Sequence, residues 1–277
     1  MKKLSSIASI IPIYDYFLLD LWGVVHDGEQ LYAGVAHTIS LLQKSHKKII
    51  FLSNAPRRAE RAAQVLERLG IEKNGYEQVV TSGEVGYNWL LSKDANLGKK
   101  YFYIGEEKDH ALLYNTDYQE VFALEEADFI LNLGFGSDGG SSQDFSHTLA
   151  QAQKMNKKML CLNPDLEVIK LDGRRFACAG MLAEQYIAIG GEVVFFGKPY
   201  SQVYDECYNL FGSPDKAKIL AVGDSLDTDI LGANRFGVDS ALITGGILRG
   251  KSEAEIEEIC LAKNIRPKYM LPKFGTA

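Results

Sequence analysis

Tyr16-Phe17-Leu18-Leu19-Asp20-Leu21-Trp22-Gly23-Val24 is an apolar run that stops at a carboxylate. Three further runs stop in the same manner. Lys48-Ile49-Ile50-Phe51-Leu52 ends at Ser53-Asn54, and Val193-Val194-Phe195-Phe196-Gly197 ends at Lys198-Pro199. Ile219-Leu220-Ala221-Val222-Gly223 ends at Asp224, with Asp227 and Asp229 just beyond. Short apolar runs rich in β-branched and aromatic residues predict buried parallel strands. Ligands of open α/β sheets bind at the carboxyl ends of such strands. Carboxylates, a hydroxyl and an ammonium, far apart in sequence, are therefore expected to converge.

Strand patterns alternate with helical ones, which predicts an α/β fold. Pro56 to Leu69 carries Ala59, Ala62, Ala63, Leu66 and Leu69 at helical spacing, with Pro56 suited to the first helical position and Gly70 to the stop. Gln78–Thr81 predicts a strand, followed by a helix through Leu91. A second strand-helix set follows, with strands expected at 100–104, 129–133 and 158–162, a mobile Gly/Ser-rich loop at 134–142 and a return point at Gly190-Gly191. The chemistry-bearing residues lie on both sides of this block. The expected organisation is a core of residues 1–81 and 193–277, interrupted by an inserted α/β cap at 82–192.

The 277 residues are 46% hydrophobic, enough for a sizeable core. A formal net charge of -6 and the absence of a basic block argue against nucleic acid or anionic membrane as partner. No apolar run is long enough to span a bilayer, and Pro12 interrupts the faint leader-like start. Cys161, Cys178, Cys207 and Cys260 form no CxxC pair and read as reduced structural thiols, which points to a cytoplasmic protein.

Asp20, Asp224 and Asp229 form an all-oxygen acidic set of the type that suits magnesium shared with a substrate phosphate. A divalent cation would relieve the mutual repulsion of these carboxylates and admit a dianionic phosphate. Ser53 and Asn54, with the amides opening the following helix, are expected to receive phosphate oxygens. Arg57 lies early on that helix and faces the phosphate in this reading. Lys198 supplies a point charge. Asp20 is then placed as a nucleophile that forms an aspartyl-phosphate hydrolysed by water. Taken singly, each signal is a common turn, loop or cap; their weight comes from four strand ends in order. Asp27-Gly28 is a turn signal, Asp227 either braces the loop or binds metal, Asp165 is a turn residue with substrate contact as the alternative, and Arg58 and Arg61 are expected on a solvated face.

Together these segments resemble the four motifs of the haloacid dehalogenase superfamily of aspartate-nucleophile hydrolases. Asp20-Leu21-Trp22-Gly23-Val24 is similar to the first motif except at Trp22, Leu52-Ser53-Asn54-Ala55 to the second, Gly197-Lys198-Pro199 to the third and Gly223 to Ile230 to the fourth. The order, the large insertion, Asn163-Pro164-Asp165 and Leu242-Ile243-Thr244-Gly245-Gly246 resemble the NagD-like branch. The resemblance implies a Rossmann-like parallel-sheet core with a cap and a small phosphorylated metabolite as substrate. Asp20 becomes nucleophile and metal ligand, Ser53 and Lys198 phosphoryl holders, and Asp224 and Asp229 metal ligands, with the Trp22 backbone carbonyl completing the metal set. A homodimer is expected by analogy alone.

The family's phosphatases carry a second aspartate, the proton donor, where this chain has Trp22. An indole N–H donates hydrogen bonds but does not titrate usefully, and a positioned acid is worth on the order of 10²- to 10⁴-fold in rate. Three readings follow: a weakened phosphatase for good leaving groups or with a donor recruited from His26 or Asp27, a dehalogenase-like hydrolase, and a phosphate-ligand-binding protein with little or no turnover.

Overall fold

The computed structural model describes residues 1–92, 96–135, 145–169 and 175–276. The chain divides into two compact units, Met1–Ser53 with Glu60–Val80 and Lys198–Ala277, and Asn54–Ala59 with Thr81–Gly197.

The first unit is built on a seven-stranded sheet. In chain order its strands are β1 (Lys2–Lys3), β2 (Tyr16–Leu19), β3 (Lys48–Ser53), β4 (Gln78–Thr81), β12 (Ile219–Gly223), β13 (Asp239–Ile243) and β14 (Tyr269–Leu271). Their spatial order is β1-β14-β13-β12-β2-β3-β4. The pairings of β2 with β3 and with β12, of β12 with β13, and of β14 with β13 and β1 are all parallel. Helices α1 (Val35–Lys44), α2 (Ala59–Arg68), α6 (Ser201–Leu210), α7 (Leu231–Phe236) and α8 (Glu253–Ala262) complete the layers. Central strands read as unbroken apolar runs because helices cover both faces of a parallel sheet. Accordingly Phe17, Leu18, Leu19, Ile49 to Leu52 and Ile219 to Val222 are all buried. The chain moves outward from β2 through β3 to β4, then returns to β12 on the other side of β2. β2 therefore sits at the switch point, where a crevice opens at the carboxyl ends.

The second unit holds a five-stranded parallel sheet, ordered β11 (Val193–Phe195), β8 (Lys158–Cys161), β7 (Phe129–Asn132), β5 (Lys100–Ile104) and β6 (Gln119–Val121). A hairpin of β9 (Glu167–Ile169) and β10 (Arg175–Ala177) lies between β8 and β11 in sequence. Ile130, Met159 and Cys161 pack with residues of α4 (Ser146–Lys154) and α5 (Ala179–Ala188). Phe129, Leu131 and Leu160 pack with Leu90 of α3 (Ser82–Leu91) and with Leu112 and Leu113. This period-two split is what two covered faces require.

Two expectations are corrected. The sequence pattern places Val193–Phe196 in the core, but β11 pairs with β8 in register Val193–Met159, so the second sheet extends to Phe195. A short apolar run carries no signal of which sheet it joins. Helix α2 starts at Ala59, not Pro56. The Ala55 carbonyl accepts the Gly83 amide and the Arg57 carbonyl accepts the Thr81 hydroxyl at 2.6 Å, so the backbone before Ala59 serves the start of α3. The Gly/Ser-rich loop expectation falls largely on 136–144, outside the described residues.

Candidate active site

Asp20 directly follows β2, and its amide still donates to the Val222 carbonyl at 2.9 Å. That bond carries the β2–β12 ladder up to the carboxylate and sets it beside the strand end that leads to Asp224. The Gly23 backbone has φ +86, and a β-carbon there would overlap Asp224 Oδ2. Glycine is thus required twice over, for the left-handed turn and for the close approach. Asp224 Oδ2 accepts the Ile247 amide at 2.8 Å. Beyond it, Ser225 caps a π-turn over Leu226–Ile230 that carries Asp229, and the Ser225 amide donates to Asp229 Oδ2 at 3.1 Å.

One oxygen from each of Asp20, Asp224 and Asp229 lies within 4.8 Å of the others, and all three residues are buried. Lys198 is 3% exposed. Its ammonium donates to Asp20 Oδ1 and Asp229 Oδ1, both at 2.6 Å, and to the Leu52 carbonyl at 3.1 Å. That last bond places it at the end of β3, next to the buried Ser53.

Three buried carboxylates cluster here, and two of them, Asp20 and Asp229, share the Lys198 ammonium. Burial, opposed by Lys198 and reinforced by Asp229 and Asp224, raises the Asp20 carboxyl well above the usual carboxylate range. Clustered hard oxygen donors fit a divalent cation. The folded, metal-free protein holds more protons than the unfolded chain above the ordinary aspartate pKa. The cluster's contribution to stability therefore falls as pH rises toward the raised pKa. Saturating magnesium is expected to raise Tm by several degrees at about pH 7.5, about 2.7 kcal/mol at a hundredfold excess over Kd, and by much less at about pH 5. Differential scanning fluorimetry with magnesium or EDTA checks this. Equal curves with and without the metal at both pH values would remove the cation from the site.

The loop after Asp20 is folded tightly. The Val25 and His26 amides both donate to the Leu21 carbonyl, and the Tyr32 amide to that of Val25. Gly28 has φ +96, and a β-carbon there would lie 2.8 Å from Trp22 Cζ3, so the loop is moulded on the indole. His26 sits edge-on to Trp22 with ring centroids 6.2 Å apart. Its Nδ1 accepts the Gly28 amide at 2.9 Å. Burial drives its pKa down to about 4, with Arg68 adding to the effect against Asp27. The imidazole is neutral at pH 7. Asp27 Oδ1 accepts the Glu29 and Gln30 amides at 2.8 Å, an Asx-type turn. Its burial is outweighed by those amides, which hold it below the ordinary carboxylate range.

The other sequence-predicted residues have the following partners. Asn54 donates to Asp165 Oδ1 at 2.9 Å, and Arg57 to Asp109 Oδ2 at 3.2 Å, all four in the second unit. Asp227 is half-exposed and paired to Lys263 at 2.6 Å, apart from the acidic cluster. Arg58, expected on a solvated face, lies 3.6 Å from the Tyr87 ring centroid and pairs with Glu84. Glu84 Oε2 also accepts the Ala59 amide at 2.9 Å. The opening of α2, expected to cradle phosphate, already has an anion at its first amide. Sequence reasoning missed this Glu84 role because its partners lie 25 and 26 positions away. The four cysteines are free and buried, and burial pushes their thiols up, Cys161 to about 12.

Among the described residues no helix is long and apolar enough to cross a membrane. Residues 17–119 match the family model described as haloacid dehalogenase-like hydrolase, and residues 195–277 one described as HAD-hydrolase-like. A haloacid dehalogenase-like hydrolase from Brucella suis 1330 superposes with TM-score 0.85 at 28% identity, over 98% of this chain and 99% of that one. Phosphoglycolate phosphatase 1A, chloroplastic, of Arabidopsis thaliana is 24% identical, over 89% of this chain and 73% of its own length. Glycerol phosphate phosphatase of Mycobacterium tuberculosis, solved in complex with calcium, gives a TM-score of 0.64 at 26% identity, over 86% of this chain and 68% of that one.

Proposed function

The chain belongs to the haloacid dehalogenase superfamily of hydrolases, and from that premise we propose that it is a magnesium-dependent phosphohydrolase with Asp20 as nucleophile. The observation that carries this reading is the buried Asp20–Lys198–Asp229 arrangement, with both contacts at 2.6 Å and Asp224 completing the acidic cluster. Asp20, Asp224 and Asp229, with the Trp22 carbonyl, would hold the ion. When bound, it would neutralise charge on the transferring phosphoryl group. Lys198 and the Ser53 hydroxyl hold phosphoryl oxygens, and an Asp20 oxygen bonds to phosphorus as the bond to the substrate's alcohol oxygen breaks. The alcohol leaves with a proton taken from solvent, and water then releases phosphate from the aspartyl-phosphate and restores the Asp20 carboxylate. Asn54 and Arg57 are assigned to substrate binding, which requires their bonds to Asp165 and Asp109 to be shared with substrate.

A small phosphomonoester is the proposed substrate, in keeping with the names of the phosphoglycolate and glycerol phosphate phosphatases. The free, buried cysteines agree with the cytoplasmic location included in this proposal. One observation favours a second reading, a phosphate-binding protein of residual activity: Trp22 supplies no acid, and His26 beside it is neutral.

Phosphate release from a panel of acid, polyol, sugar and nucleoside monophosphates, with magnesium or EDTA, decides between them. Magnesium-dependent release is expected. If no ester turns over while a phosphate analogue binds with magnesium, the binding reading stands instead.

A further inference from the structure

We propose that Tyr204 is a positioning residue for the cation site: its hydroxyl holds the main chain of the π-turn and so sets where the Asp229 carboxylate meets the ion and Lys198. This rests on the reading of Asp20, Asp224 and Asp229 as cation ligands.

Tyr204 lies on α6, 1% exposed, and its hydroxyl donates to the Asp229 carbonyl at 3.2 Å. A buried phenol O–H needs an acceptor, and here the acceptor is the backbone of a residue in the acidic cluster. Lys198, just before α6, donates to Asp229 Oδ1. One short stretch of chain, Lys198 to Tyr204, thus grips Asp229 by its carboxylate and by its carbonyl. The carboxylate has further restraints. Its Oδ2 accepts the Ser225 amide, and its Cγ packs so closely on the Gly223 α-carbon that a β-carbon there would lie 2.1 Å away. With the side chain confined in this way, a shift of the Asp229 backbone becomes a shift of its carboxylate oxygens.

The backbone of this turn is not that of a regular helix. The Ile230 amide donates to the Ser225 carbonyl at 3.1 Å, where α-helical bonding would use Leu226. Such wide turns are rare and mostly single, and helices depart from regularity where a side chain inserts into the hydrogen-bond ladder. Tyr204 has the geometry for that insertion. A β-carbon on Gly232 would lie 2.3 Å from the Tyr204 hydroxyl oxygen, so the phenol rests on a bare α-carbon. Its ring stacks on Phe236, with centroids 5.5 Å and planes 24° apart. Phe236 is held in turn by Tyr208 and by Lys216, whose ammonium lies 3.7 Å from the Phe236 centroid. Gly232 and Phe236 both belong to α7, which continues the π-turn. An aromatic layer therefore joins α6 to α7, and the Tyr204 hydroxyl carries its rigidity to Asp229.

The choice of ion makes this restraint measurable. Magnesium demands near-octahedral oxygen geometry at short distance, whereas calcium accepts larger and looser shells. A misplaced Asp229 carboxylate should cost magnesium more than calcium.

The test is calorimetric titration of magnesium chloride and of calcium chloride into the whole metal-free chain. Tyr204→Phe removes the hydroxyl and keeps the ring. It is expected to weaken magnesium binding about fivefold, the equivalent of one ordinary hydrogen bond, and calcium binding by less than about twofold. Tyr208→Leu is the control, because it loosens the packing on the same Phe236 and leaves the Tyr204 hydroxyl in place. Its Tm should fall while both dissociation constants stay as in the natural protein. An unchanged magnesium affinity in Tyr204→Phe overturns the inference, since Tyr204 would then only fill the core. A loss equal for the two ions, or matched by Tyr208→Leu, overturns it as well. If the natural protein binds neither ion, or Asp224→Asn binds magnesium as tightly as it does, the cation-site reading fails and this inference falls with it.

Discussion

Asp20→Asn is expected to abolish phosphate release and, at the same time, to make the metal-free protein harder to unfold by heat. Loss of turnover follows from chemistry: an amide is a poor nucleophile and cannot form the aspartyl-phosphate. Removing a covalent nucleophile costs on the order of 10⁴-fold or more in kcat. The gain in stability follows from the environment. Asp20 is buried with Asp224 and Asp229 within 4.8 Å and shares the Lys198 ammonium with Asp229. Its raised pKa means that folding penalises its charge. Asparagine keeps the shape, retains an oxygen for Lys198 and removes the charge that burial and the neighbouring carboxylates disfavour.

The stability gain should be largest well above the ordinary aspartate pKa and should shrink at acid pH, where the native carboxyl is protonated as well. Magnesium should then stabilise the variant less than the natural protein, since one ionised ligand is missing. Thermal melts in EDTA and in magnesium, beside phosphate release, measure all three. A variant that keeps turnover, or that melts below the natural protein in EDTA at neutral pH, contradicts this account of the cluster.

Much of this site is legible in the sequence because strand ends carry it. Unbroken apolar runs need two covered faces, two covered faces imply a parallel sheet, and such a sheet gathers its carboxyl ends on one edge. Asp20, Ser53 and Asp224 lie at or directly after β2, β3 and β12 for that reason. Lys198 also joins the cluster, though by a different route: the strand before it belongs to the other sheet, and its ammonium reaches Asp20 from a loop. Sheet membership depends on pairing partners over thirty residues distant, which a local run of valine and phenylalanine does not specify. The late start of α2 is hidden for a related reason. Pro56 and the alanine spacing favour a longer helix, but Gly83, Thr81 and Glu84 compete for the Ala55–Ala59 backbone. The neutral state of His26 is equally out of reach, because it depends on burial and on one backbone amide.

Lys198→Met should be the most disruptive single change at this site. The ammonium offers three N–H groups, and each has an acceptor here. Removing Lys198 takes the ammonium from both Asp20 and Asp229, and breaking a buried ion pair from one side costs roughly 3–5 kcal/mol. Phosphate release should fall by at least about 10²-fold with the loss of a phosphoryl-holding charge. The destabilisation has a signature that a packing defect lacks. With Lys198 gone, the Asp20 carboxyl loses the charge that opposes its burial and is raised further, so the variant should lose more stability at about pH 8 than at about pH 5, and magnesium should restore part of it at the higher pH. Lys198→Arg should not rescue, because a planar guanidinium does not reproduce a compact ammonium with three acceptors around it. Adding Asp229→Asn to Lys198→Met should recover stability, giving a strongly non-additive pair. Denaturant melts of the two single variants and the double variant in EDTA, at both pH values, measure this coupling. A Lys198→Met loss that is independent of pH, and additive with Asp229→Asn, would mean that its stem packs the core while its charge holds nothing together.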